Sequence, residues 1–269
     1  MRLNAKELTI IAVLVLLVTA LPVIGIREVW GQVLAAVGAA AATDLLLTRL
    51  RFRDWVFPDA AILTGLIVGG VAAPRTAPLV AASLAILAVV SKHLLRVKGK
   101  PLFNPAAFAL LVGIFLGLKA GWWVDINHGL TVIVGTALLA LYRGRWRLVL
   151  PFVVALNAAI AALAVLRGLD PASQINVTFG ISTFFTFFML TDPRTSPSWP
   201  PMLPWFGVLV AAVSVLSFVF HPPSIFLGGL LLANATVPLL DLWAHRIMAR
   251  RTASAPAVVP TTSALARER

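Results

Sequence analysis

Uncharged apolar runs return along the whole length of this chain. Leu8–Ile26, Pro101–Leu118, Leu148–Leu166 and Pro171–Thr191 contain no Asp, Glu, Lys or Arg. A helix needs about 20 apolar residues to cross a bilayer, and these runs meet or approach that length. A soluble helical core alternates apolar and polar faces, and these runs do not. Of 269 residues, 60% are hydrophobic and 12% charged, against about 25% charged in an ordinary soluble domain. The net charge of +12 sits in short segments between the apolar runs rather than on one soluble surface. That pattern argues against nucleic acid as a partner and for the lipid bilayer. The chain has no cysteine, which excludes disulfides, cysteine-ligated zinc and iron–sulfur clusters held by this chain. The four histidines are scattered without metal-site spacing, and His93, His221 and His245 fall near the ends of apolar runs, which argues against haem.

Ten spans are expected: Leu8–Ile26, Val29–Leu47, Pro58–Val71, Ala77–Leu95, Asn104–Leu118, Gly129–Tyr142, Leu148–Leu166, Ile175–Leu190, Trp205–Phe220 and Ser224–Leu242. The third and sixth are short enough to be broken or partly re-entrant, which is tolerated where protein buries the free backbone. The opening MRLNAKELTIIAVLVLLVTALP has the basic, apolar, small-residue order of a leader peptide. It is taken as a first span, because keeping it makes the charge pattern consistent. With the N-terminus inside, the inner segments hold Arg2, Lys6; Arg49, Arg51, Arg53; Lys92, Arg96, Lys98, Lys100; Arg143, Arg145, Arg147; Arg194; and Arg246, Arg250, Arg251, Arg267, Arg269. Only Arg27, Arg75, Lys119 and Arg167 fall outside, so 18 of 22 basic residues obey the positive-inside rule. Both termini are therefore expected in the cytoplasm of a bacterial cell, with a multi-pass domain over 1–251 in the inner membrane. A disordered cytoplasmic tail is expected over 252–269. Trp122 and Trp123 are expected at the outer interface, where indole rings settle.

Two segments match at an offset of 119 residues: ILTGLIVGGVAAPRTAP from Ile62 and ISTFFTFFMLTDPRTSP from Ile181. Six of 17 positions are identical, among them Pro74/Pro193, Arg75/Arg194, Thr76/Thr195 and Pro78/Pro197. FNPAAF from Phe103 and HPPSIF from His221 follow at an offset of 118. Five spans separate the copies, so the charge-derived orientation makes them inverted. The repeats are expected over about 8–118 and 129–242. Inverted repeats of this kind place sites at their interface, beside broken helices.

Pro105 and Pro193 interrupt helices and free backbone groups. Asn104 offers donors and an acceptor together, which suits the mixed edge of an isoalloxazine ring, or it caps the helix that follows. Asp192, with Thr191, Thr195 and Ser196 beside it, either caps a helix or binds a polar ligand. Phe184, Phe185, Phe187 and Phe188 form either a slot for a planar ring or ordinary packing. Lys92, Arg96, Lys98 and Lys100 meet a flavin phosphate or an acidic partner, or serve only the positive-inside rule. Asp44, Asp59, Asp192 and Asp241 are the candidate intramembrane carboxylates. All lie toward expected cytoplasmic ends, and no chain of acids crosses the bilayer.

Three segments, SKHLLRVKGKPLFNPAAFALLVG from Ser91, FFMLTDPRTSP from Phe187 and LLANATVPLLD from Leu231, resemble one family in order and spacing. It includes the D subunit of the Rnf electron-transport complex and the B subunit of the sodium-pumping NADH:quinone oxidoreductase (RnfD/NqrB-like). The resemblance covers roughly residues 40–245. It implies an all-α polytopic fold of ten transmembrane helices in two inverted five-helix repeats, similar to urea transporters. It also implies flavin in the membrane and electron transfer between redox subunits on either side; the cofactor-binding residues expected from the broken segments are Asn104, Thr191, Asp192, Thr195 and Ser196. One departure matters. The family's outer Ser-Gly-Ala-Thr-like motif, which carries covalent FMN, has no counterpart in LKAGWWVDINHGLT, where Thr131 stands in an unrelated context. Any flavin, FMN or riboflavin, is therefore expected to be noncovalent, or to have been lost. The alternative function is a cofactor-free channel or carrier for a small solute.

Overall fold

The structure, a computed structural model, describes residues 4–141, 144–220 and 225–253. Ten α-helices form among the described residues: α1 (Ala5–Ile24), α2 (Ile26–Phe52), α3 (Asp59–Val71), α4 (Pro78–Leu94), α5 (Pro105–Phe115), α6 (His128–Leu141), α7 (Trp146–Leu166), α8 (Pro171–Phe184), α9 (Leu203–Phe220) and α10 (Ile225–Ala253). Each expected span coincides with one of them. Local chemistry sets their ends. Asn4 and Glu7 close a capping box on α1. Gly25, at φ 90°, turns the chain between α1 and α2 within a single residue. Proline stands at the first position of α4, α5 and α8, where its missing N–H costs nothing. Asn104 and Asp170 cap α5 and α8 through their side chains.

Among the described residues, five segments are long and apolar enough to cross a membrane: Ala5–Ile24, Ile26–Phe52, Trp146–Leu166, Pro200–Ser217 and Ile225–Met248. The others are shorter. At about 1.5 Å per residue, the 13 residues of α3 reach roughly 20 Å and the 11 of α5 roughly 16 Å, against about 30 Å of hydrocarbon. Three expected boundaries move. The fifth helix stops at Phe115, short of Leu118. The eighth ends at Phe184 and passes into a π-helical turn, Phe185–Met189. α10 continues past Leu242 to Ala253. The helix therefore takes in the first two residues of the tail expected over 252–269; the rest of that tail and the HPP segment with His221 lie outside the described residues.

α2 packs on α3 and α4, α4 on α5, and α1 on α3; likewise α7 packs on α8 and α9, α9 on α10, and α6 on α8. α1 meets α6, and α5 meets α10. Glycines permit the closest crossings. A Cβ on Gly65 would lie 2.6 Å from Val37 Cα, and one on Gly207 would lie 2.5 Å from the Leu148 carbonyl oxygen. The outer surface is apolar: Val18, Leu34, Val154 and Leu239 are each about 60% exposed or more. Water would penalise so continuous an apolar exterior, whereas lipid does not.

The segment between α5 and α6 folds inward rather than lying on a rim. Ala120 bridges to Ala72, and Gly121 N–H donates to the Val71 carbonyl at 2.7 Å. A 3-10 turn, Trp123–Asp125, follows. The interfacial role expected of Trp123 is therefore corrected: its ring is 3% exposed, and its indole N–H donates to the Gly69 carbonyl at 3.0 Å. The Gly69 carbonyl near the end of α3 has a second lone pair beside the one Gln32 uses, and it is a stronger partner for that N–H than lipid is. A short hairpin, β1 (Arg96–Val97) and β2 (Lys100–Pro101), joins α4 to α5.

Candidate functional site

The second copy of the repeated segment builds a turn from its own polar side chains. The π turn brings Thr191 to the Phe187 carbonyl, to which its hydroxyl donates at 2.6 Å. The Asp192 carboxylate accepts from Arg194 N–H at 3.0 Å and from the Thr195 hydroxyl at 3.1 Å. The Ser196 hydroxyl donates to the Asp192 carbonyl at 2.9 Å and accepts from the Arg145 guanidinium at 2.6 Å. Asp192 is thus a turn-former, and it remains partly exposed.

Asn104 ties this turn to the first half. Its side-chain oxygen accepts from Ala107 N–H at 3.1 Å, closing the cap on α5. Its amide donates to the Met189 carbonyl at 3.3 Å, and its backbone N–H donates to the Asn234 side chain at 3.1 Å. The Asn234 amide in turn donates to the Thr195 carbonyl at 2.8 Å. Asn234, fully buried on α10, was not foreseen as part of this network. Its signal is an asparagine in the middle of the apolar run LLANATVPLL.

A cavity of about 220 Å³ opens between α1, α3, α5 and the π turn. Asn104, Thr191 and Asp192 line it together. Thr195 and Ser196 do not; they are buried behind the turn and hold its shape. Leu63, Ile67, Leu138 and Phe187 make apolar walls, while Lys6, Lys92 and Arg194 stand around it as cations. Thr64 donates its hydroxyl to the Ala60 carbonyl at 2.8 Å, so its oxygen lone pairs stay available to an occupant. A second cavity of about 220 Å³ shares Lys6, Ala60, Lys92, Pro101 and Arg194 with the first and adds Asp44, Asp59, His93 and Arg96. Together the two enter the range of small-molecule sites, roughly 300–1,000 Å³.

The four phenylalanines divide. Phe184 stacks on Phe188 at 4.8 Å, and Phe185 packs against Phe152 and Phe226; Phe184 and Phe185 are core. Phe187 and Phe188 reach the cavity wall. The basic cluster divides as well. Lys92 lines the cavity and pairs with Asp44 at 2.7 Å, as does His93. Arg96 lines the neighbouring cavity. Lys98 and Lys100 face a separate groove with Asp241 and His245. Asp59 pairs with Lys6 at 2.9 Å, and Asp241 accepts from Ser198 N–H at 2.8 Å.

The model of the NQR2, RnfD, RnfE family matches residues 109–249. The chain belongs to this family. The D subunit of the ion-translocating oxidoreductase complex of Yersinia pestis is 33% identical over 144 residues, 51% of this chain and 40% of that protein. The protein of the same name in Escherichia coli O127:H6 (strain E2348/69) is 35% identical over 141 residues, 51% of this chain and 38% of its own length. The chain thus spans about two fifths of the curated relatives it matches. The match to the NQR2, RnfD, RnfE family takes in Thr191–Ser196 and Asn234 and begins just after the cap at Asn104. With its series of apolar helices, this family member is a multi-pass membrane protein.

Proposed function

We propose that the chain is the membrane subunit of an ion-translocating oxidoreductase complex, passing electrons through flavin held noncovalently in the cavity beneath Asn104. The observation that carries this is the cavity itself. It lies where the Pro105 and Pro193 breaks meet, drawing Asn104 from the start of α5 and Thr191 and Asp192 from the second repeat copy. Its chemistry suits a flavin: apolar walls with an aromatic edge at Phe187, hydroxyl and amide groups, and cations around it. A bound flavin supplies the redox chemistry. Asn104 has one amide hydrogen left for it. Thr64 and Thr191 offer oxygen lone pairs, the apolar walls exclude water, and Lys6, Lys92 and Arg194 favour an anionic end.

Noncovalent binding is supported by the inward-folded α5–α6 segment. Thr131, the threonine there, is fully buried with its hydroxyl on the Asn127 carbonyl at 3.2 Å. The partners proposed are the other redox subunits of a complex in the bacterial inner membrane. The fold proposed is two inverted five-helix repeats of the urea-transporter type. It is supported by packing partners in α1–α5 that recur in the same order in α6–α10, with α1–α6 and α5–α10 as the pairs between halves. Reporter fusions after Arg53, Lys100 and Arg147 should report cytoplasm, and those after Arg75, Lys119 and Asp170 the opposite side; two reversed sites would refute this topology.

The deciding experiment for the cofactor is the absorption spectrum of the full chain purified in mild detergent. A flavin spectrum that disappears from the protein on denaturation is expected. Asn104→Ala should lower flavin affinity about 5- to 150-fold, the equivalent of one to two lost buried hydrogen bonds, while Asp170→Ala, at the far end of α8, should leave it unchanged. A parent protein that purifies without flavin would overturn this reading in favour of a cofactor-free solute channel or carrier.

A further inference from the structure

The most deeply buried carboxylate of the described residues lies outside this cavity. Asp125 ends the 3-10 turn between α5 and α6, and its side chain is 1% exposed. The turn sits well inside the bundle. Its Val124 and Leu17 of α1 both lie against Gly70, and Leu17 is about 18 Å along α1 from Ala5 at 1.5 Å per residue.

The two carboxylate oxygens live differently. Oδ2 accepts from the Thr183 hydroxyl at 2.5 Å and from Phe184 N–H at 2.8 Å. This fastens the turn to the end of α8 where the π turn begins. Oδ1 has no hydrogen-bond partner, and neither has Nδ1 of His128, which faces it at 3.5 Å. Both atoms are sealed from solvent, yet the His128 side chain as a whole is 41% exposed. A structural role for Asp125 explains Oδ2 alone. Nor does Asp125 cap α6, because Leu130 N–H donates to Asn127 instead.

An ionised carboxylate oxygen only accepts, and an imidazole nitrogen without its hydrogen also only accepts. Two opposed lone pairs in a buried site are unfavourable, and a single proton between them removes the conflict. We propose that Asp125 and His128 form a proton-binding site inside the membrane domain. The proton is held at Nδ1 against Oδ1 and exchanges through the exposed edge of the His128 ring. His128 is the titratable group that faces Asp125. The residues packed on the turn from α1, α3 and α8, namely Leu17, Gly70, Thr183 and Phe184, carry no charge. The site stands whether or not the chain holds flavin.

The test is nitrogen NMR of the full chain in detergent, labelled at its four histidines, with the His128 signal assigned by its loss in His128→Gln. In the parent, with the proton bound, both ring nitrogens of His128 should carry hydrogen. Asp125→Asn keeps an oxygen for Thr183 and Phe184 but turns an amide N–H toward Nδ1, so the ring should keep hydrogen on Nε2 alone. A parent ring that is neutral, whichever nitrogen holds its hydrogen, or one indifferent to Asp125→Asn, overturns the proposal. So does a His128 signal that shifts with sodium but not potassium, which would mark a metal-cation site instead. If Asp125→Asn does not fold, infrared spectra of the parent and His128→Gln decide. The protonated-carboxyl band should grow when His128 is removed, since the proton then has only Asp125 to bind, and an unchanged band overturns the proposal.

Discussion

The Pro-Arg-Thr turn occurs twice, and its two copies are finished in opposite ways. After α3, Ala72 and Ala73 precede Pro74, and a glutamine from another helix closes the turn. Gln32, 2% exposed, accepts from Thr76 N–H at 3.0 Å and donates to the Gly69 carbonyl at 2.9 Å. Trp123 donates to that same carbonyl, and the cavity beside Ala72 and Thr76 holds only about 10 Å³. After the π turn, Thr191 and Asp192 occupy the positions of Ala72 and Ala73. The turn satisfies itself through the Asp192 carboxylate, and a cavity of about 220 Å³ opens next to it. The common frame sets the bend. The two residues before the proline, with what neighbouring helices insert, decide whether the bend is sealed or opens onto a cavity.

The comparison can be broken at the tie that anchors the open turn. Asn234→Leu removes the partners of Asn104 N–H and the Thr195 carbonyl, both inside the core. Two orphaned backbone groups should cost roughly 2–5 kcal/mol, seen as a large fall in thermal stability of the detergent-purified protein. In the sealed turn, Gln32→Leu should cost less, about 1–2 kcal/mol. Thr76 N–H keeps the Ala73 carbonyl at 3.2 Å, and Gly69 keeps Trp123. Flavin retention should not change with it, and a loss of flavin would mean the two turns are not separate in function. Asp192→Ala should lower stability by about 1 kcal/mol, the scale of a lost cap, but lower flavin retention as well. Retention equal to the parent's, with stability reduced, would reduce Asp192 to a turn-former.

Helices α1, α2, α4, α5 and α8 were legible because each begins or ends on a strong local signal: Asn4 with Glu7, Gly25, proline at the first position of α4, α5 and α8. Charge-free runs between basic clusters did the rest. Of the expected site, Asn104, Thr191 and Asp192 do share one cavity, since the prolines that flag them also break the helices around it. Thr195 and Ser196 were drawn in by proximity in sequence, yet the turn points them to Asp192 and away from the cavity. What stayed hidden depends on contacts distant in sequence. Nothing in the WWVD stretch indicates that Trp123 meets Gly69 from 54 positions away, or that Asp125 meets Thr183 from 58. A loop of mixed polarity between spans looks like a rim whether it lies on the surface or folds inward. The inward path follows only from how short α3 and α5 are.

The smallest expected effect sharpens the comparison at the mouth of the open side. Lys6 reaches from α1 to Asp59 at the start of α3, with Nζ 2.9 Å from one carboxylate oxygen and 3.3 Å from the other. The two side chains are 43% and 24% exposed. In that setting water and salt screen the attraction, and ordering a lysine side chain costs entropy. The pair should therefore contribute no more than about 1 kcal/mol. Asp59→Asn keeps an oxygen for Ala60 N–H, which the carboxylate now accepts at 2.6 Å, so α3 keeps its first turn and only the charge is lost. Its stability deficit should vanish in about 1 M salt, where the screening length falls to roughly 3 Å, whereas the deficits of Asn234→Leu and Gln32→Leu should persist. Lys6 also lines the cavity. Released from Asp59, its charge turns to the occupant, so an anionic flavin should be retained at least as well in Asp59→Asn as in the parent. A fall in retention with Asp59→Asn, at unchanged stability, would show that Lys6 must be held by Asp59 to serve the site.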